Sequence, residues 1–189
     1  MKMRALVVAA LLTTLAPVAR ADVLIDRIVA VVGTHVITIQ ELKERAAPQM
    51  KLIDIQKPDE MRRAALTTEL LKKVLQAMID DQLAADDAAK ARVAVTEDEI
   101  DLTLKNVAAA TKLTVAELLA EAARQGLSEV AYRAELRRQL TRGKMVSLRA
   151  TKGGLSPKAS PREREEALAK EQTKWLSELR QHAYVDVRL

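Results

Sequence analysis

Four times along the chain a threonine or serine is followed three residues later by a glutamate at the head of an amphipathic run. The pairs are Thr38 with Glu41, Thr96 with Glu99, Thr114 with Glu117, and Ser160 with Glu163. In such a box the hydroxyl accepts the orphan N–H of the third helical residue, and the carboxylate reaches back to the amide of the capping residue. Pro161 stands at the first helical position of the last box, where its missing N–H removes no helical hydrogen bond. Four starts of this kind commit the chain to a mainly α fold.

A further helix is readable from periodicity. Between Asp59 and about Lys90, Leu66, Leu70, Leu71, Val74, Leu75, Met78, Ile79 and Leu83 recur at spacings of three and four, which is one face of a long amphipathic helix. The other face is charged. Asp80-Asp81 and Asp86-Asp87 are assigned to that solvated face, because adjacent helical positions point apart and do not form a catalytic carboxylate pair. Gly126 ends the helix that follows Thr114, with Leu127 folding back onto its last turn. Ser128 restarts the chain. The next helix is expected to reach about Ala150, burying Val130, Leu136, Leu140, Met145 and Leu148, until Gly153, Gly154 and Pro157 stop it. Arg162 to about Gln181 forms the last helix.

Strand signals sit only at the two ends. Ile28 to Val32 and His35 to Ile37 are β-branched runs around Gly33-Thr34, the spacing of a tight hairpin. Tyr184 to Leu189 alternates Val185, Val187 and Leu189 with Tyr184, Asp186 and Arg188, the pattern of a half-buried strand. A lone strand cannot satisfy its own backbone, and the hairpin is the only sheet available to it. The chain ends should therefore meet. Tyr132, Trp175 and Tyr184 are the only aromatic residues, so the core must be aliphatic. Trp175 and Tyr184 are expected to close the last helix and strand against the hairpin.

The first 21 residues are read as a signal peptide. Lys2 and Arg4 give a positive start, Ala5 to Leu15 an apolar run, and Ala19-Arg20-Ala21 a small-x-small cleavage site. The run is far short of the roughly 20 residues that cross a bilayer, so no membrane span is expected after cleavage. Its removal takes three basic residues and no acid from the chain's 31 basic and 26 acidic residues, leaving 28 against 26. That balance argues against a nucleic-acid partner. Residues 22–189 then form one domain, with 22–150 as its first module, 151–160 as a linker, and 161–189 as the closing helix and strand.

Catalytic and metal chemistry find little support. His35 and His182 are the only histidines, cysteine is absent, and Gly153-Gly154 lacks the Lys-Ser/Thr that a phosphate loop requires. No catalytic residue, metal or cofactor is assigned.

A resemblance emerges from the order of these landmarks. Ile25-Asp26-Arg27-Ile28-Val29-Ala30-Val31-Val32 is followed by a turn and Val36-Ile37-Thr38. Leu75, Met78, Ile79, Asp80, Gln82 and Leu83 then mark the long helix, and Val95-Thr96-Glu97-Asp98-Glu99-Ile100 and Leu113-Thr114 mark two junctions. Gln125-Gly126-Leu127-Ser128, Tyr132-Arg133, Leu136-Arg137, and Trp175-Leu176 with Ala183-Tyr184-Val185 complete the series. The sequence resembles the SurA family of periplasmic chaperones. The resemblance implies a helical chaperone module with a small sheet joining the amino-terminal hairpin to the carboxy-terminal strand. Family members usually carry parvulin-type prolyl-isomerase domains between these parts, each on the order of 100 residues. Here that interval is Thr151 to Ser160, too short for an isomerase, so that activity is not carried over.

The resemblance implies an ATP-independent holdase for unfolded outer-membrane protein precursors in the periplasm. Leu104, Val107, Leu118, Leu119, Tyr132 and Leu136, on the middle helices, are the candidate client-binding residues, lining the inside of a cradle. The alternatives are a dedicated partner or assembly subunit of the cell envelope, with a second copy of the chain among its candidate partners, and a peptidyl-prolyl isomerase.

Overall fold

A computed structural model describes residues 27–188. The proposed signal peptide lies outside that range. Strands β1 (Ile28–Val32) and β2 (His35–Thr38) open the fold, followed by helices α1 (Ile39–Ile55), α2 (Glu60–Lys90), α3 (Glu97–Ala110), α4 (Val115–Arg124), α5 (Glu129–Lys152) and α6 (Pro161–His182). Strand β3 (Val185–Val187) closes it. All four capping boxes form with both reciprocal hydrogen bonds. Asp59 caps α2 and Ser128 caps α5 through their side-chain oxygens.

The chain ends meet as the strand patterns required. β1 is the centre of a three-stranded antiparallel sheet in the order β2-β1-β3, with Val31 opposite Val36 on one side and Asp186 on the other. Gly33, at φ +58, turns the hairpin, and its N–H donates to the Tyr184 carbonyl at 2.9 Å. Arg188 N–H donates to the Val29 carbonyl at 2.8 Å, which extends the pairing beyond β3.

Three apolar clusters hold the elements together. The first packs Val29, Val32 and Ile37 of the sheet against Leu42 and Ala46 of α1 and Val74, Leu75, Ile79 and Leu83 of α2. The second gathers Ala84, Ala88, Met145 and Val146 around Trp175. The third joins α3, α4 and the first half of α5 through Ile100, Leu104, Ala108, Leu118 and Leu136. Each fully buried aliphatic side chain contributes roughly 1.5–3 kcal/mol, so so short a sheet owes its stability to the helices beneath it.

Some expected burial is not realised. Val130 is 79% exposed, because the first turn of α5 projects past the third cluster and burial begins with Tyr132 and Leu136. Tyr184 is also exposed, and it contributes to the sheet through its carbonyl instead of its ring. Val185 packs onto the first cluster, whereas Val187 is exposed at the sheet edge. Trp175 has no exposed surface, as expected, but it packs against α2 and α5 and not against the hairpin. α5 and α6 are joined directly by residues 153–160.

Candidate functional site

The six side chains singled out from the sequence converge. Leu104 and Val107 on α3, Leu118 and Leu119 on α4, and Tyr132 and Leu136 on α5 all belong to the third cluster. Their exposures differ in a way that matters for binding. Leu104 is 1% exposed and Leu136 6%, so they form the base that holds the three helices together. Val107, Leu119 and Tyr132 are half-buried and form its rim.

Open apolar surface lies elsewhere, at the end of the α1–α2 hairpin. Leu52 and Ile55 on the last turn of α1 and Met61 on the first turn of α2 are 58%, 73% and 85% exposed. Arg63 pairs with Asp54 across the hairpin at 2.7 Å, which keeps the two helix ends together. The Lys51 side chain lies across Gly126, where an added Cβ would come within 2.7 Å of Nζ. This end of α1 is therefore beside the α4–α5 turn. Gly126 sits at φ +93, and that conformation lets the chain reverse there. Sequence periodicity could not find this patch, because Leu52 and Ile55 carry the same helical spacing as residues that point into the core.

The acidic face of α2 departs from its sequence reading. Asp80 is buried and receives two hydrogen bonds from Arg180 of α6, at 2.8 and 2.6 Å. These bonds to Asp80 hold the Arg180 pKa above its ordinary value. Asp87 accepts a hydrogen bond from Trp175 Nε1 at 2.8 Å. The Asp81 side chain is 9% exposed and faces Arg45 of α1 and Arg138 and Arg142 of α5. Burial pushes its carboxyl above the ordinary aspartate range, against the pull of Arg142 and Arg45 and with the push of Glu135 and Asp80. His35 Nε2 stands 3.6 Å from Asp86 at the surface.

These aspartates are ties between elements. A signal for two of them is present in the sequence: Asp80, Ala84, Asp87 and Ala88 form a second stripe beside the leucine face, with small residues that admit another helix. At the head of α3, Lys144 of α5 donates to Glu99 at 2.7 Å and to the Ala94 carbonyl at 2.7 Å. The Lys144 and Thr96 hydrogen bonds hold the Glu99 carboxyl below its ordinary range.

Among the described residues no helix is long and apolar enough to cross a membrane. Residues 25–145 match the model of the SurA N-terminal domain family. The chain is 35% identical over 117 residues to the protein named Chaperone SurA of Chromobacterium violaceum, covering 62% of this chain and 26% of that protein. It is 31% identical over 117 residues to Chaperone SurA of Ralstonia nicotianae, covering 62% and 23%. For Chaperone SurA of Legionella pneumophila the identity is 32% over 120 residues, covering 62% and 26%. The chain thus spans about a quarter of the length of the relatives it matches. The matched segment holds the hairpin, α1 to α4 and most of α5, while Trp175 and β3 lie beyond it. On a match covering well over half of its length, the chain belongs to the SurA N-terminal domain family.

Proposed function

We propose that the chain is an ATP-independent chaperone of the periplasm that holds unfolded outer-membrane protein precursors, with no isomerase step. The observation that carries this reading is the exposed aliphatic end of the α1–α2 hairpin, Leu52, Ile55 and Met61, on a chain whose relatives are named as chaperones. Exposed apolar side chains grouped together mark interaction surface. Unbranched and aliphatic side chains repack around varied sequences, and flanking charge such as Lys51, Asp54 and Arg63 keeps the holder soluble. The half-buried rim of Val107, Leu119 and Tyr132 supplies a second apolar contact for the same extended client.

The test is suppression of aggregation when an unfolded β-barrel protein is diluted from denaturant with a near-equal molar amount of the purified protein. Suppression is expected, and it should weaken when Leu52, Ile55 and Met61 are all changed to serine while the melting temperature holds. Absence of suppression at every salt concentration defeats the reading. Catalysis in a proline-peptide isomerisation assay would overturn the reading of the chain as a holder without an isomerase step.

A further inference from the structure

The three-stranded sheet ends in an open edge. β3 has β1 as its only strand neighbour among the described residues. It bonds toward β1 through every second residue, since Tyr184 accepts from Gly33 and Arg188 donates to Val29. Antiparallel pairing alternates along the strand, so Asp186, opposite Val31, also turns its backbone to β1, while the N–H and C=O groups of Val185 and Val187 point away. Outward donors and acceptors of this kind are a template for one more strand.

The side chains along the edge are as incomplete as the backbone. Ile37, Ala30 and Val187 lie in register across the sheet on one face, where Ile37 and Ala30 are buried. Val187 ends that row and is 53% exposed, because no strand follows to cover it. On the other face Arg188 donates to the Asp186 carboxylate at 2.8 Å. The opposite edge of the sheet is bounded instead. β2 runs directly into α1 at Ile39, and His35 at its start stands 3.6 Å from Asp86 of α2.

Only an extended chain can complete the β3 edge, since a helix has its backbone groups bonded internally. A second copy of β3 fits poorly. Paired antiparallel about Asp186, it sets Asp186 against Asp186 in the close, non-hydrogen-bonded position. Shifted so that Asp186 meets Arg188, it is joined through Val187 alone among the described residues. A foreign strand is free of that conflict. Its residues opposite Val185 and Val187 make the hydrogen bonds and put their side chains on the face of Val187, so they should be apolar. Those between them, opposite Asp186 and Arg188, should be polar, with a basic group against Asp186. Such alternation is the pattern of a strand from a membrane β-barrel.

We propose that the outer edge of β3 binds one extended, alternating segment of a client polypeptide as a fourth, antiparallel strand. This rests on the reading of the protein as a holder of unfolded chains and adds to it a defined contact and a sequence preference. The probe is a labelled peptide of about nine residues, the length of one membrane-spanning strand, alternating valine with polar residues around a central lysine and followed by fluorescence anisotropy. Two further forms are N-methylated, either on the valine amides or on the amides between them. Only the valine amides face β3. Methylation there removes two backbone hydrogen bonds and is expected to weaken binding about tenfold or more, whereas methylation in between should leave the affinity unchanged. Val187→Pro removes a donor that β1 does not use, and proline is tolerated on edge strands, so this variant should keep its melting temperature and lose binding of the unmethylated peptide by a similar factor. Equal affinity of the two methylated forms overturns the proposal, as does full-strength binding to folded Val187→Pro. A protein that sediments as a dimer and becomes monomeric in Val187→Pro assigns the edge to a second copy and overturns it too. Should no peptide bind while aggregation of an unfolded β-barrel protein is still suppressed, the edge site fails and the chaperone reading stands. Loss of suppression as well would remove both.

Discussion

Trp175 is the largest fully buried side chain, held between Ala84 and Ala88 of α2 and Met145 and Val146 of α5. In an otherwise aliphatic core it has no aromatic neighbour to fill the space it leaves. Its Nε1 also satisfies Asp87, so removal leaves a cavity and a carboxylate without its donor. Trp175→Ala is therefore expected to lower the unfolding free energy by about 3–5 kcal/mol, read as a shift of the urea midpoint at unchanged slope. Tyr184→Ala, at an exposed position whose contribution runs through the backbone, should change it by no more than about 0.5 kcal/mol. A midpoint that stayed put in the tryptophan variant would mean the second cluster does not need its central residue. The contrast separates two residues that looked alike in the sequence: both are aromatic and near the chain end, but only one is surrounded.

Helix starts were readable because a capping box is local chemistry, complete within four residues. Helix ends were less so. α1, α2 and α3 are each followed by a residue in the left-handed region, Lys57, Arg92 and Lys112, where the sequence offers no glycine to announce the stop. The partners of Asp80 and Asp81 were hidden for a different reason: Arg180 stands 100 residues away from Asp80, and Arg45 lies on another helix, so only the tertiary fold pairs them. The capping boxes also set a pH dependence. Bonds to the Thr114 backbone and hydroxyl hold the Glu117 carboxyl below its ordinary range, and bonds to the Ser160 hydroxyl and backbone do the same for Glu163. With the folded pKa below the unfolded one, the stabilisation is full above the unfolded value and is lost as pH falls through the folded value. Asp81 works in the opposite sense, since its raised carboxyl takes up a proton in the folded protein before the unfolded chain does. Melting temperatures measured from neutral pH down through the carboxylate range should fall less steeply in a Glu117→Gln, Glu163→Gln double variant than in the unaltered protein. Parallel curves would show that these boxes do not hold charge as described.

The three clusters are not equally joined. Leu179 packs against both the first and the second, and α2 runs through both, so sheet, α1, α2, α6 and the second half of α5 share continuous apolar contact. The third cluster shares no residue with either. Between it and the rest lies charge: Arg45, Asp81, Glu135, Arg138 and Arg142 along the α1–α2–α5 contact, and Lys144 with Glu99 at the head of α3. Partly buried ion pairs add little net stability compared with apolar packing, so α3 and α4 depend on their own small cluster and on α5. Native-state hydrogen exchange should accordingly show two tiers. Amides of α3 and α4 are expected to exchange through a partial opening at lower free energy, while those of β1 and the middle of α2 exchange only with global unfolding. Such an opening uncovers Leu104, Leu118 and Leu136, and under the proposed chaperone function it would give these buried residues a route to an unfolded client. Adding an unfolded β-barrel protein should therefore change exchange in α3 and α4 and leave β1 unaltered. If every helix exchanged at the global free energy, or if client binding left α3 and α4 untouched, the third cluster would be scaffold alone and binding would fall to the α1–α2 end.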